Sequence, residues 1–399
     1  MRHSSNRRAF AAAAVTASVS LLGIEVAANS STPVARASFK STGQRALPTP
    51  TAEPGETTVR TVAELEEALE EAGPGSTITV ENGVYQRDGG DRWVAAASGT
   101  SSAPIVLKGT RAAILESDSP DGDYGLHITG SYWRVKGITI RNATKGIVLD
   151  GSVGTVIAAV EVRNIGDEGV HFRACSSNGV LRKSYVHDTG VESPQYGEGV
   201  YAGSANSNWG LYGCGDDGED DTEGTLIKEN IFRDIPAEGA DLKEGTDSGT
   251  VRGNTFDNVG FSGENSADSA VDAKGNNWQV ISNTVKNSTG DFADAFQSHT
   301  VYDGYGEDNF FDRNNVVGDI PGFGFGFYPE AGNVATCDNT APGAELGLVG
   351  ANGDPVPCEQ GVGALASTVR PTEASTQSSS RTTSTLRFSR LAYRAVSSV

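Results

Sequence analysis

Between residues 168 and 328 the sequence repeats one kind of chemistry. His171 and Arg173, Tyr201, Asp241 and Lys243, Asp272 and Lys274, Gln297 and His299, then Tyr328 occupy matching places in short alternating segments. A face built only for solubility would show Thr, Ser and Lys without order. Here cations, imidazoles and phenols converge on one stripe, and such groups move protons and hold anions. A second series precedes the first: Glu168 in DEGVHFR, Glu198 in GEGVYAG, Glu238 in AEGADLK, Asp268 in ADSAVDA and Asp294 in ADAFQSH. Stacked at strand spacing, about 4.8 Å, these acids repel and raise one another's pKa unless a cation or hydrogen-bond donors compensate. Carboxylates so arranged suit Ca²⁺, which takes six to eight oxygen ligands. The expectation is therefore that two or three of Glu168, Glu198, Glu238 and Asp268 hold calcium, the alternative being that they accept turn N–H bonds.

An internal repeat must position these residues. From Leu126 the segments LHITGSYWRVKGITIRN, IVLDGSVGTVIAAVEVRN, VHFRACSSNGVLRKSYVHD, ADLKEGTDSGTVRGNTFDN, AVDAKGNNWQVISNTVKN and FQSHTVYDGYGEDNFFDRNN follow one another at roughly 21 to 40 residues. Each reads as a short strand, a turn, a second short strand and a polar turn, with no helical period between them, which points to a solenoid of stacked β-turns. Asn230, Asn254, Asn283 and Asn314 recur in IKENIF, VRGNTF, VISNTV and FDRNNV. Stacked, they would form a hydrogen-bonded ladder along the axis. Ahead of the repeats, Thr61 and Glu64 form a capping box, and Val62, Leu65, Ala68, Leu69 and Ala72 make an apolar helical stripe. This short helix is expected to cover the open end of the solenoid, with the first rung starting at Pro74 to Val80.

The chain has 399 residues with 50 Gly and 15 Pro, and a formal charge of −20. The glycine excess without a Gly-X-Y period excludes collagen and suits many tight turns. The acidic balance excludes nucleic acid as a partner of the main body. Arg7, Arg8 and Phe10, the apolar run to Ala28 and the Ala35-Arg36-Ala37 site read as a twin-arginine export leader over residues 1–37. The remainder divides into a linker at 38–58, the solenoid at 59–362 and a Ser/Thr-rich, basic, disordered tail at 363–399. No other stretch could span a membrane. A secreted monomer is expected, and its four cysteines pair as Cys175–Cys214 and Cys337–Cys358.

The run ELEEALEEAGPGSTITVENGVY followed by Asn-punctuated rungs resembles the all-β, right-handed parallel β-helix proteins of the pectin-lyase fold, in particular the chondroitinase-B and alginate-lyase type of polysaccharide lyase. The segment Asp241-Leu242-Lys243-Glu244-Gly245, followed by VRGNTF, is similar to the rung that carries the family's Brønsted base. The resemblance implies that role for Lys243. Where the family's next rung supplies an Arg-His-Gly acid, this chain has Asp272-Ala273-Lys274-Gly275, and the family's Asn-Gly-Gly-Glu calcium segment is missing.

A lyase acting on an extracellular uronic-acid polysaccharide must neutralise the substrate carboxylate, remove the C5 proton and protonate the leaving O4. Ca²⁺ or Arg173 would do the first, Lys243 the second, and Tyr201, His299 or Lys274 the third. His171, Asp241, Asp272, Gln297 and Tyr328 would contact the sugar. The −20 charge opposes a polyanionic substrate unless the local sign is reversed. A glycoside hydrolase is the alternative, using Asp241 with Asp272 or Glu238 with Asp268, since two carboxyls about 5 to 9 Å apart suffice. A non-catalytic carbohydrate-binding protein would stack sugars on Trp209, Trp278, Tyr196, Tyr201, Tyr302, Tyr305 and Tyr328. The acidic insertion with Asp216 and Asp217 reads as solvated or cation-binding. Phe323, Phe325 and Phe327 read as the plug of a final rung.

Overall fold

The computed structural model describes residues 55–214 and 218–360. The export leader, most of the linker, the Asp216-Asp217 pair and the basic tail lie outside the described residues.

Parallel strands stack into three long sheets that wrap one core. One eleven-stranded sheet runs from Glu56–Val59 to Val334–Ala335, and a nine-stranded sheet runs from Gly83–Gln86 to Asn315–Val317. The other eleven-stranded sheet begins at Trp93–Ala95 and ends with Gly347–Ala351 and the antiparallel edge strand Asp354–Pro355. Each turn of the coil therefore holds three strands where the sequence suggested two. The break that sequence patterning conceals is a single residue with positive φ between the first and second sheets: Gly137, Ala159, Lys183, Glu229, Gly253, Ser282 and Arg313. One left-handed residue turns the chain at that corner without a polar loop to announce it.

The expected asparagine ladder follows immediately after those corners. Asn230 Nδ2 donates to Asn254 Oδ1, Asn254 to Asn283, Asn283 to Asn314, and Asn314 to Asn339, each at 3.0 Å. The same oxygens accept the backbone N–H of the preceding rung's asparagine, so the buried amides of Asn230, Asn254, Asn283 and Asn314 are satisfied.

Inward positions carry aliphatic and aromatic stacks, among them Phe232 on Phe256 and Phe296 on Phe325. Trp278, expected among the sugar-stacking rings, is fully buried and donates Nε1 to Thr246 Oγ1. The helix Val62–Glu70 keeps its capping box and buries Leu65 and Leu69 against the first strands. Glu56 to Thr58, read as linker, already belong to the strand Glu56–Val59, the first of its sheet, which pairs with Thr77–Val80. At the other end Phe323–Tyr328 is not the last rung, because Gly347–Ala351 pairs beyond it. Both disulfides form as expected. No helix among the described residues is long and apolar enough to cross a membrane.

Candidate functional site

Strand register decides which side chains meet. Val170–Arg173, Val200–Ala202, Ala240–Leu242, Val271–Ala273 and Phe296–His299 are successive neighbours in one sheet. Their pairing brings His171, Tyr201, Asp241, Asp272 and Gln297 into one outward row. Two residues before the first residue of their strands, Glu168, Glu198, Glu238 and Asp294 share a row. Asp268 does not, since it stands three residues before Val271 and Ser269 takes the register place. The acidic column is thus interrupted. Its head is a cation: Lys145, two residues before Ile147, which pairs with Val170. Sequence reading missed Lys145 because only acids were sought there, although KGIVLD aligns with EGVHFR.

The centre of the site is a buried charge cluster. Lys274 Nζ lies 2.8 Å from Asp241 Oδ1, 3.0 Å from Asp272 Oδ2 and 4.0 Å from Glu238 Oε1. Lys243 Nζ lies 3.1 Å from the other Asp241 oxygen and 5.3 Å from the centre of the Tyr201 ring. Burial alone would lower the Lys274 pKa, but Asp241, Asp272 and Glu238 override it and hold the ammonium well above its usual range. Asp272 is correspondingly held far below the carboxylate range, its burial outweighed by Lys274 and His299. Glu198 has no such partner: burial, Glu168 and Asp241 push it up to about 8. Burial, Asp241 and Glu198 also raise Glu238 despite the opposing pull of Lys274. Tyr201 keeps its proton well above the usual phenol range because burial, Asp241 and Glu198 disfavour the phenolate.

Glu198, Glu238 and Asp241 can bring one oxygen each to within 4.8 Å of one another, which is the geometry of a three-carboxylate cation site. The fit to calcium is poor. Both oxygens of Asp241 already bind ammonium groups, and an ion needing six to eight oxygens would sit against Lys243 and Lys274. Glu168, placed in the same metal set by its sequence, is engaged elsewhere. Lys145 Nζ and His171 Nδ1 lie 2.5 and 2.6 Å from it and, against its burial, hold its carboxyl down to about 2.

Glu198 supplies an expected result. A carboxyl raised in the folded state stabilises below its unfolded pKa of 4.5 and loses that contribution as pH rises through about 8. Glu198→Gln should therefore flatten part of the fall in melting temperature between pH 5 and 9. An unchanged slope would show that Glu198 is ionised throughout.

At the Arg173 end, Nε lies 2.6 Å from Asp150 Oδ1, and the guanidinium stacks 4.0 Å over the Tyr212 ring. His171 is bound at both nitrogens, by Glu168 and by the Gly203 carbonyl, so neither is free to accept a substrate proton. Gly203 must be glycine, because at φ 79° an added Cβ would meet Thr246 Cγ2 at 2.5 Å. The insertion after Ala202 forms one wall. The Cys175–Cys214 bond fastens it, as does buried Asp220, whose carboxylate accepts from the Ala174 and Cys175 N–H groups and from Ser204. Trp209 packs on Tyr302 and Tyr305 behind this wall, and exposed Tyr196 stands on the opposite side. Between the walls lies a groove of ≈ 540 Å³ whose floor includes Lys145, Arg173, Glu198, Tyr201 and Lys243.

The remaining candidates gather further along. His299 Nδ1 is 2.9 Å from Asp272, its ring stacks on Tyr328, and Tyr328 donates to Asp294. Gln297 donates to the same Asp294 oxygen at 3.3 Å. Burial would lower the His299 pKa, but Asp272 raises it.

The family description "Pel9A-like, right handed beta helix region" matches residues 48–209 and agrees with the parallel coil described above. An alginate lyase crystal structure from Paenibacillus sp. str. FPU-7 is 31% identical, with a TM-score of 0.69, over 75% of this chain and 99% of that one. This chain belongs to the polysaccharide lyases of the pectin-lyase fold. Pectate lyase Pel9A is 14% identical, with a TM-score of 0.47, over 73% of the lyase described here and 72% of its own chain. No curated protein matches the lyase.

Proposed function

We propose that this lyase cleaves a 1,4-linked polyuronate of the alginate kind by β-elimination in the groove beside Lys243. The observation that carries the reading is the pairing of Lys243 with Tyr201, an amine and a persistently protonated phenol, in a groove that Arg173 and Lys145 also line. The similarity to an alginate lyase supports the polymer class. In this reading the neutral amine of Lys243 takes the C5 proton, the C4–O4 bond breaks, and Tyr201 gives its proton to the leaving O4. The products are a reducing-side fragment whose new non-reducing end carries the C4–C5 double bond, and a second fragment that keeps the leaving oxygen as the C1 hydroxyl of a new reducing end. Arg173, Lys145 and the protonated Glu198 offset the charge that develops on the substrate carboxylate. Lys274, bound to three carboxyls, anchors Asp241 so that Asp241 can orient Lys243. His299 and Tyr328 then contact sugars further along the groove.

Calcium, expected from the acidic series, has no step in this scheme, because Arg173 and Lys145 supply the positive charge in the groove. Of the two carboxylate pairs that a hydrolase would use, Asp241 with Asp272 loses support because both are tied to Lys274. We also read the protein as secreted, on its leader-like N terminus and its two disulfides.

The test is the ultraviolet absorbance of the conjugated double bond on a panel of polyuronates, with EDTA and with added calcium. Absorbance should rise on alginate at equal rates in both. Loss of the signal in EDTA would return the acidic cluster to a metal, and reducing ends without absorbance would return the hydrolase.

A further inference from the structure

On the first of the three sheets, remote from the groove, one outward row reads Lys108, Lys136, Ala158, Arg182, Lys228 and Arg252 over six consecutive strands. Five of these six places are basic in a chain whose formal charge is −20. Lys108 pairs with Glu56. Lys136, Arg182, Lys228 and Arg252 face solvent or stand half-buried, and no carboxylate lies within ion-pair distance of any of them among the described residues. Arg134 adds a sixth cation one place over. It donates to the Trp133 and Gly154 carbonyls, and burial and then Arg182 disfavour its charge. Alongside runs a shallow trough of ≈ 450 Å³ with Val106, Val156, Val180 and Leu226 on its floor.

Like charges at rung spacing, about 4.8 Å, repel one another, and among the described residues every other lysine and arginine except Arg111 and Arg134 has a neighbouring acid. An uncompensated row is what a linear polyanion neutralises. The rung spacing is comparable to the length of one extended 1,4-linked pyranose, so successive carboxylates of a polyuronate can meet successive cations while ring faces cover the aliphatic trough. Duplex DNA places its phosphates on a wide helix that a single straight row cannot follow. We propose that this sheet is a second, non-catalytic binding surface for the polyuronate, separate from the groove, which holds the polymer against an otherwise repelling body. The choice of polymer rests on the activity proposed above.

The test uses Lys243→Ala protein, which should leave the polymer intact, on a gel carrying immobilised alginate, with a uronate trisaccharide present to fill the groove. It should be retained and should elute with salt. Adding Lys136→Gln, Arg182→Gln, Lys228→Gln and Arg252→Gln together should weaken retention about tenfold and reduce its salt dependence. In the active protein the same four changes should raise KM on the polymer but leave trisaccharide turnover and melting temperature unchanged, which shows the fold and groove intact. Unchanged retention, or equal binding to duplex DNA or phosphatidylglycerol vesicles, overturns the proposal. If the parent protein cleaves no polyuronate yet is held by the gel through these four residues, the catalytic reading fails and the second surface stands.

Discussion

Lys243→Ala should reduce elimination on a polyuronate by about 10²–10⁴-fold, the usual contribution of a positioned general base, with little change in melting temperature. Lys243 is the groove lysine with one carboxylate partner. Its neighbour Lys274 is held by three. Removing Lys243 leaves Asp241 paired with Lys274, so no buried charge is abandoned. The loss should appear in kcat more than in KM. Lys243→Arg should fail to rescue, because a guanidinium cannot give up its proton to become a base. Wild-type turnover by Lys243→Ala would remove the base assignment and shift attention to Tyr201.

The largest effect on stability is expected at Lys274. Lys274→Met keeps the aliphatic stem and deletes the charge that Asp241, Asp272 and Glu238 share. Breaking a buried pair by removing one partner costs about 3–5 kcal/mol. The pH dependence identifies the cause. In the parent protein the depressed pKa of Asp272 contributes stability that is present above its ordinary range and is lost only as pH falls through the folded value. In the variant the acids lose their cation and their folded pKa values rise, so stability should be recovered as pH falls and they protonate. Urea unfolding should find Lys274→Met more stable at pH 5 than at pH 8. Equal midpoints at the two values would mean that the cluster is already neutral without the lysine.

The stacking was legible in the sequence because the asparagines report it directly: only a ladder requires Asn230, Asn254, Asn283 and Asn314 at equivalent corners. The third strand of each turn was not legible, since residues such as Lys183, Glu229 and Ser282 take positive φ without being glycine. The outward row from His171 to Gln297 could be read because strand alternation has a fixed period of two. Asp268 was misplaced because the turn at Glu264–Ser266 leaves one extra residue before Val271. The partners that fix each charge lay beyond any local pattern. Asp150, which holds Arg173, and Asp220, which holds the groove wall, come from other rungs or from the insertion and meet their targets only after folding.

The corner ladder and the three-sheet coil make the molecule additive along one axis, with each turn resting chiefly on the turns above and below it. Insertion or excision of one complete turn outside residues 145–299 would lengthen or shorten the rod without disturbing the cluster around Asp241. The chemistry then has a fixed size, while the stretch of polymer the protein can span is a countable quantity that heredity can change one turn at a time.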